Sequence, residues 1–212
     1  MIELAGLSGG TLVLFAGVSA ALVATPGPNV ALIVATSLKH GRRAGLATVA
    51  GVNFGLLIQL AVIVAGLSSL VELFARGFDV IRYAGAAYLL WLALRQWRRA
   101  GQSDGLDGPA APPSDRAALL RGLLVAFANP KTLLFHAAFL PQFVTPGVDA
   151  ERQIVVLALV FAFVAVVGDG VWALLAGSAR RHLGRHFART ADRISAGILA
   201  GGAVLLLAAG RR

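Results

Sequence analysis

The stretch Thr25-Pro26-Gly27-Pro28-Asn29 lies inside a charge-free run that extends from Leu4 up to Lys39. This run is longer than the ~20 apolar residues that cross a bilayer. Proline removes an amide donor and clashes with the preceding helical turn, so the two prolines open the backbone here. Freed backbone groups persist at membrane depth only where they are buried in protein or line a wet cavity. The stretch therefore predicts a broken transmembrane helix with a binding site at the break.

The composition of the whole chain indicates that lipid is its solvent. Of its 212 residues, 58% are hydrophobic and 14% are charged, and the mean hydropathy is +0.78. Such values are typical of a polytopic membrane protein and leave no room for a separate soluble domain. The absence of cysteine excludes a disulfide framework and a Cys-ligated metal. No basic leader or A-x-A-like cleavage site accompanies the first apolar run, which is expected to remain as a span.

Six apolar segments have about the length that the hydrocarbon core requires, and together they predict an all-α, polytopic integral membrane protein. They cover residues 10–38, 44–66, 78–97, 119–144, 153–179 and 193–210. The third segment is the least regular because charged residues precede it, and residues 67–77 are interpreted as an interfacial connection.

The basic residues predict the orientation of these spans. With six spans, most of them fall on one side: Lys39, Arg42, Arg43, Arg95, Arg98, Arg99, Arg116, Arg121, Arg180, Arg181, Arg185, Arg189 and Arg193. The positive-inside rule places that side in the cytoplasm and both termini outside. Five or seven spans would destroy this segregation. The same dispersal over loops argues against a nucleic-acid partner, despite a pI near 11.5.

A segment rich in Gly, Pro, Ser and Asp divides the chain into two halves. We expect a single transmembrane domain over residues 1–212, with three-helix repeats at 1–100 and 117–212 and a cytoplasmic linker at 101–116. An odd number of spans per half makes the halves cross the membrane in opposite directions, which is the inverted-repeat arrangement of secondary transporters. Asn129-Pro130-Lys131 then breaks the first helix of the second half, as Thr25–Asn29 breaks that of the first.

Two charged residues lie deep within predicted spans. Lys131 follows Arg121 by about ten residues, on the order of 12–15 Å into the membrane at ~1.5 Å per residue. An ammonium near the bilayer centre costs about 2.5–3.5 kcal/mol, so it requires a partner. Asp169 is the acidic residue deep in the fifth segment. We expect the two side chains to approach each other or to share a polar cavity with Asn29 and Asn129.

Broken helix ends offer amides for a carboxylate and carbonyls for an ammonium, so a zwitterion suits this site. The predicted substrate-binding residues are Thr25, Pro26, Gly27, Pro28, Asn29, Asn53, Asn129 and Pro130, and the predicted coupling residues are Lys131, Asp169 and His136. No cofactor or metal is expected.

Each of these assignments has a structural alternative. Lys131 could snorkel to the cytoplasmic surface, Asp169 could form a packing salt bridge, and the prolines could simply kink helices. His136 could relay protons or be a packed neutral histidine, and Asn53 could make an interhelical hydrogen bond.

Other spacings admit more than one interpretation. The i,i+4 pair His182 and His186 has a zinc-binding spacing without a third ligand. The small-residue spacings Gly51-x-x-x-Gly55 and Gly197-x-x-x-Gly201 fit either packing within the chain or a homodimer face.

At these motifs the chain resembles the LysE/RhtB family of amino-acid exporters, the LysE-type translocators. The matching residues are Thr25-Pro26-Gly27-Pro28-Asn29, Gly41-Arg42-Arg43-Ala44-Gly45-Leu46 leading to Gly51 and Gly55, Asn129-Pro130-Lys131, Phe139-Leu140-Pro141-Gln142-Phe143 and Asp169. The resemblance implies export of amino acids or close derivatives across the bacterial inner membrane, driven by protons, with both termini periplasmic. His136 departs from the family, which more usually has an aromatic residue in that run, and this leaves the choice of substrate open.

Two other classes of function, a membrane-embedded enzyme and a non-transporting membrane component, would require different sequence features. A membrane-embedded enzyme needs a nucleophile and base or a metal cluster, and the sequence has neither a G-x-S-x-G elbow nor convergent ligands within the spans. A non-transporting permease component or scaffold would associate with another subunit through the arginine-rich loops. The sequence favours the transporter over both.

Overall fold

The computed structural model describes residues 3–65, 83–84, 86–95, 97–98, 113–145, 149–179 and 185–208. The predicted interfacial connection at 67–77 and most of the predicted linker, residues 101–112, lie outside this part of the chain, as does His182. The described residues are almost entirely helical, as predicted.

A short hairpin precedes the first helix and was not predicted. Strand β1 (Glu3–Leu4) pairs antiparallel with β2 (Leu7–Ser8). Ala5 and Gly6 connect the strands with φ of 55° and 78°, values that suit the left-handed turns of tight hairpins. Ser8 then caps helix α1 (Gly9–Ala24), since its side chain accepts a hydrogen bond from the Thr11 amide.

The first predicted span is a broken helix, as the prolines indicated. Helix α1 ends at Ala24 and helix α2 (Pro28–His40) begins after a gap of three residues, with a bend of 54° between them. Pro28 occupies the first turn of α2, where its missing amide costs no hydrogen bond. Gly41 ends α2 with a φ of 88°, a conformation that favours glycine.

Two helices cross the length of a bilayer without interruption. Helix α3 (Arg42–Ala65) and the later helix α7 (Ala150–Ala179) match the predicted second and fifth spans. In the described part of the chain, these two are long and apolar enough to span a membrane, and the bent α1–α2 pair makes a third if it is counted as one span. Helix α4 (Ala86–Arg95) is the described portion of the predicted third span.

The predicted fourth span is also interrupted. Helix α5 (Asp115–Phe127) is capped by Ser114 and ends beside Asn129, after which helix α6 (Pro130–Leu134) begins. A π-helical turn at Phe135–Phe139 and a 3-10 turn at Leu140–Phe143 complete the segment. The predicted break at Asn129-Pro130-Lys131 is therefore confirmed, and the segment from 119 to 144 consists of several short pieces.

Helix α8 (Arg185–Ala208) begins eight residues before the predicted boundary at 193. The apolar stretch predicted from 193 lies within this helix. The helix begins earlier because a helix satisfies its own backbone beyond the lipid as well as within it, so residues 185–192 extend α8 rather than form a loop.

Helices α3 and α5 cross at close range through glycines. A Cβ atom on Gly51 would collide with the Leu119 carbonyl, and one on Gly122 would collide with the Thr48 carbonyl. Gln59 of α3 also donates a hydrogen bond to the Ala126 carbonyl at 2.8 Å. The first small-residue spacing thus serves packing within the chain, whereas Gly197 and Gly201 have no described atom near their missing side chains.

Candidate functional site

A lysine at the second helix break, between α5 and α6, reaches the first break, between α1 and α2. The ammonium of Lys131, in the first turn of α6, donates hydrogen bonds to the carbonyls of Leu22 at 2.8 Å and Thr25 at 2.7 Å. These carbonyls lie at the end of α1, where the last turn of a helix carries partial negative charge, and the Leu22 carbonyl also accepts a hydrogen bond from the Thr25 amide at 3.2 Å. Lys131 therefore caps α1 from more than a hundred residues away in the sequence.

Gly27 provides the space for this contact. A Cβ atom at Gly27 would lie 3.1 Å from both Cε and Nζ of Lys131, closer than side-chain contacts normally allow. Gly27 also precedes α2 without supplying a side-chain cap. The amides of Asn29 and Val30, in the first turn of α2, consequently have no intrahelical acceptor. The break thus separates carbonyls that carry a cation from amides that suit an anion.

A small cavity lies between α1, α2, α3, α6 and α7. Its lining consists of Leu22, Val23, Asn29, Val30, Leu56, Lys131, Thr132, Phe161, Ala165 and Asp169. The cavity volume is about 20 Å³, which is room for a water molecule but not for an amino acid. The helices must separate before a larger ligand can enter.

Asp169 faces this cavity from α7 and is 3% exposed. Its Oδ2 accepts a hydrogen bond from Asn53 Nδ2 at 3.2 Å, and the same amide donates to the Val49 carbonyl at 3.0 Å. Asn53 therefore holds the carboxylate from the neighbouring α3. Among the described residues, Asp169 and Lys131 line the same cavity without forming an ion pair.

The two asparagines of the predicted site occupy different environments. Asn29 lines the cavity, is 5% exposed, and its Oδ1 has no hydrogen-bond partner in the described part of the chain. Asn129 is fully buried, does not line the cavity, and caps α6 by accepting a hydrogen bond from the Lys131 amide at 3.1 Å. Asn29 Oδ1 therefore has no partner beside the cavity, whereas Asn129 Oδ1 caps α6 and Asn129 Nδ2 has no partner among the described residues.

The prolines of both breaks meet on α8, which sequence reasoning missed. A Cβ atom on Gly202 would lie 2.9 Å from Pro28 Cγ and 3.9 Å from Pro130 Cδ. The beginnings of α2 and α6 thus rest against the same residue. The one sequence signal for this contact was the Gly201-Gly202 pair inside an apolar helix.

His136 lies outside the cavity wall. It is fully buried, and its ring packs edge-on against Phe161 with 4.5 Å between centroids. Neither ring nitrogen has a hydrogen-bond partner within the described ranges. This environment matches the packed histidine that the sequence left open. No group of His, Asp or Glu residues that could hold a metal occurs among the described residues.

The comparisons with known proteins agree on one family. The family model of the LysE type translocator matches residues 20–210. A homoserine/homoserine lactone efflux protein of Salmonella typhimurium is 35% identical over 158 residues, which cover 74% of this chain and 76% of the relative. A cysteine/O-acetylserine efflux protein of Escherichia coli is 32% identical over 176 residues, or 82% of this chain and 86% of the relative.

A leucine efflux protein of Klebsiella pneumoniae is 36% identical over 137 residues, which cover 60% of this chain and 62% of the relative. No solved structure matches the chain significantly.

Proposed function

The chain belongs to the LysE type translocator family, and on that premise we propose that it exports amino acids or close derivatives across the bacterial inner membrane by proton antiport. Proteins of this family are transporters rather than enzymes. The observation that carries the proposal is the pair of charged side chains, Lys131 and Asp169, on one cavity between broken helices. Membrane proteins retain such groups where substrates or ions pass.

We further propose that the fold has six spans arranged as two inverted three-helix repeats, with both termini periplasmic. Two observations support this arrangement. A proline breaks the backbone at the start of α2 and again at the start of α6, and both breaks reach Gly202 of α8. Transporters with inverted repeats place their sites where such half-helices meet.

In the proposed site, the substrate carboxylate binds at the start of α2. The amides of Asn29 and Val30 and the positive end of the helix dipole favour an anion there. Asn29 Oδ1, which is buried and unpartnered in the described structure, can accept a hydrogen bond from the substrate ammonium. Asp169, held by Asn53, carries the proton.

The transport cycle follows from these roles. Open to the cytoplasm, the protein loses a proton from Asp169 and binds substrate. Open to the periplasm, it releases substrate and Asp169 takes up a proton. Since the cavity admits only a water molecule, the halves rock apart at one end at a time. Arg43 with Asp115, and Arg42 with Ser178, tie α3 to α5 and α7 at the end predicted to be cytoplasmic.

Inverted membrane vesicles test this function. Vesicles that contain the protein should accumulate labelled L-homoserine, L-leucine or L-cysteine when their lumen is acidified, and an uncoupler should abolish the accumulation. Vesicles from cells without the gene are the control. Uptake that ignores the pH gradient would contradict antiport while leaving export intact, and no uptake of any amino acid would contradict both.

A further inference from the structure

The carbonyls that end α1 already bind a primary ammonium group. Lys131 Nζ makes two short hydrogen bonds, to Leu22 O and Thr25 O, and both acceptors belong to backbone that no other described cation contacts. A lysine ammonium and the α-ammonium of an amino acid are the same chemical group. What binds one at this position binds the other.

The surroundings of this site match the rest of an amino acid. The acceptors close α1, and the uncapped amides of α2 begin at Asn29, four residues after Thr25, on the far side of the same break. Asn29 Oδ1, buried and without a described partner, is part of the cavity wall between them. An ammonium on the carbonyl side and a carboxylate on the amide side would be neighbours, as they are in a free amino acid.

We propose that Lys131 takes the place of the substrate in the substrate-free protein. Its ammonium binds the α1 carbonyls there, and the ammonium of the amino acid displaces it when substrate binds. This inference rests on the proposed function and identifies its substrate class as molecules with a primary ammonium beside a carboxylate. Gly27 suits this arrangement, because a Cβ atom there would lie 3.1 Å from Cε and Nζ of Lys131 and would oblige the lysine to shift by a few tenths of an ångström.

The displaced ammonium has one described destination. Lys131 and Asp169 are the titratable side chains in the wall of the cavity, so the freed cation moves toward the Asp169 carboxylate. An opposite charge nearby favours the ionised carboxylate, and Asp169 then releases its proton to the cytoplasm. When the substrate leaves on the other side, Lys131 returns to α1 and Asp169 takes up a proton. One lysine thereby links the binding of substrate to the loss of a proton.

The first test measures the binding of an ammonium ion to purified protein, through its effect on Tm, and needs no transport assay. Purified Lys131→Ala protein is melted in detergent with ethylammonium chloride, and sodium chloride at equal ionic strength corrects for salt. Ethylammonium should raise Tm by about 3 °C at a tenfold excess over its Kd, because it refills the vacated carbonyls. The wild type, whose own lysine fills the site, should show no such rise. Lys39→Ala, which removes the other lysine of the chain, is the matched control and should behave as the wild type.

A second variant keeps the test valid if Lys131→Ala misfolds, and it shows directly whether an ammonium attached at position 131 blocks the site. Because the chain contains no cysteine, Lys131→Cys can be modified selectively. An aminoethyl methanethiosulfonate adds an ammonium at about the position of the lysine, and methyl methanethiosulfonate adds a neutral group. The aminoethyl form should lose the response to ethylammonium and the methyl form should keep it.

Three results would overturn the proposal: no specific rise in Lys131→Ala, the same rise in the wild type, or aggregation of both variants that ethylammonium does not prevent. Failure of antiport is a separate result. A protein that binds ethylammonium as expected but ignores the pH gradient in vesicles would retain the ammonium site and lose the proton-coupled function.

Discussion

The two helix breaks look alike in sequence, but the backbone groups that each break leaves unpaired are hydrogen-bonded in different ways. At the second break, Asn129 precedes Pro130 and caps α6 with its own side chain. At the first, Asn29 follows Pro28 and lies inside the first turn of α2, where it cannot cap, and Gly27 provides no substitute. The second break has a side-chain cap, although Asn129 Nδ2 has no hydrogen-bond partner in the described part of the chain, whereas the first has no side-chain cap and has its carbonyls met by Lys131. On this difference we propose the second break as structural and the first as the one that binds substrate.

The largest expected effect concerns Asp169, the proposed proton carrier, which lines the cavity beside the first break. Asp169→Asn should reduce pH-driven uptake in inverted vesicles by at least ~100-fold, a loss of about 2.7 kcal/mol of transition-state stabilisation, because the amide cannot exchange a proton. Asp149→Asn, which alters an exposed carboxylate beside Arg152, should leave uptake unchanged. Full activity of the Asp169 variant would remove that residue from the coupling.

The next test compares the two asparagines. Asn29→Ala should lower uptake about tenfold with little change in Tm, because its side chain contacts the cavity rather than the fold. Asn129→Ala should lower Tm instead, since loss of a helix cap costs about 0.5–2 kcal/mol, or roughly 2–6 °C in a protein of this size. Transport of each purified variant and its melting in detergent supply the two readouts. Interchanged results would reverse the assignment of binding and structural breaks.

A smaller effect is expected where the two breaks meet. Gly202→Ala places a methyl group against Pro28 Cγ, which must shift and carry the start of α2 with it. We expect a loss of uptake of about three- to fivefold, from misplaced amides at the first break. Gly201→Ala is the matched control, because no described atom lies near its missing side chain, and alanine there should stabilise the helix by about 0.5–1 kcal/mol. Equal effects of the two variants would show that contact at Gly202 does not position the breaks.

Much of this comparison follows from local sequence rules. Proline chemistry predicted both breaks, and hydropathy predicted α3 and α7, because both depend on neighbouring residues. The reach of Lys131 to α1 did not follow, since its partners are backbone carbonyls that any sequence possesses. Gly202 was missed for the same reason, because a glycine that accommodates a distant proline looks like any small residue of an apolar helix. The difference between the two asparagines as caps was predictable from their order relative to proline, and substrate binding by either stays a prediction.

The smallest effect is expected from an ion pair remote from both breaks. Arg43 Nη2 lies 2.8 Å from Asp115 Oδ2, but the two side chains are 89% and 53% exposed. Exposed pairs of this kind contribute little to stability and weaken as salt rises. Asp115→Asn should therefore lower Tm only slightly and change uptake less than about twofold, and 1 M salt should erase the difference from the wild type. A loss comparable to that of Asp169→Asn would mean that the clasp between α3 and α5, rather than the chemistry at the first break, limits transport.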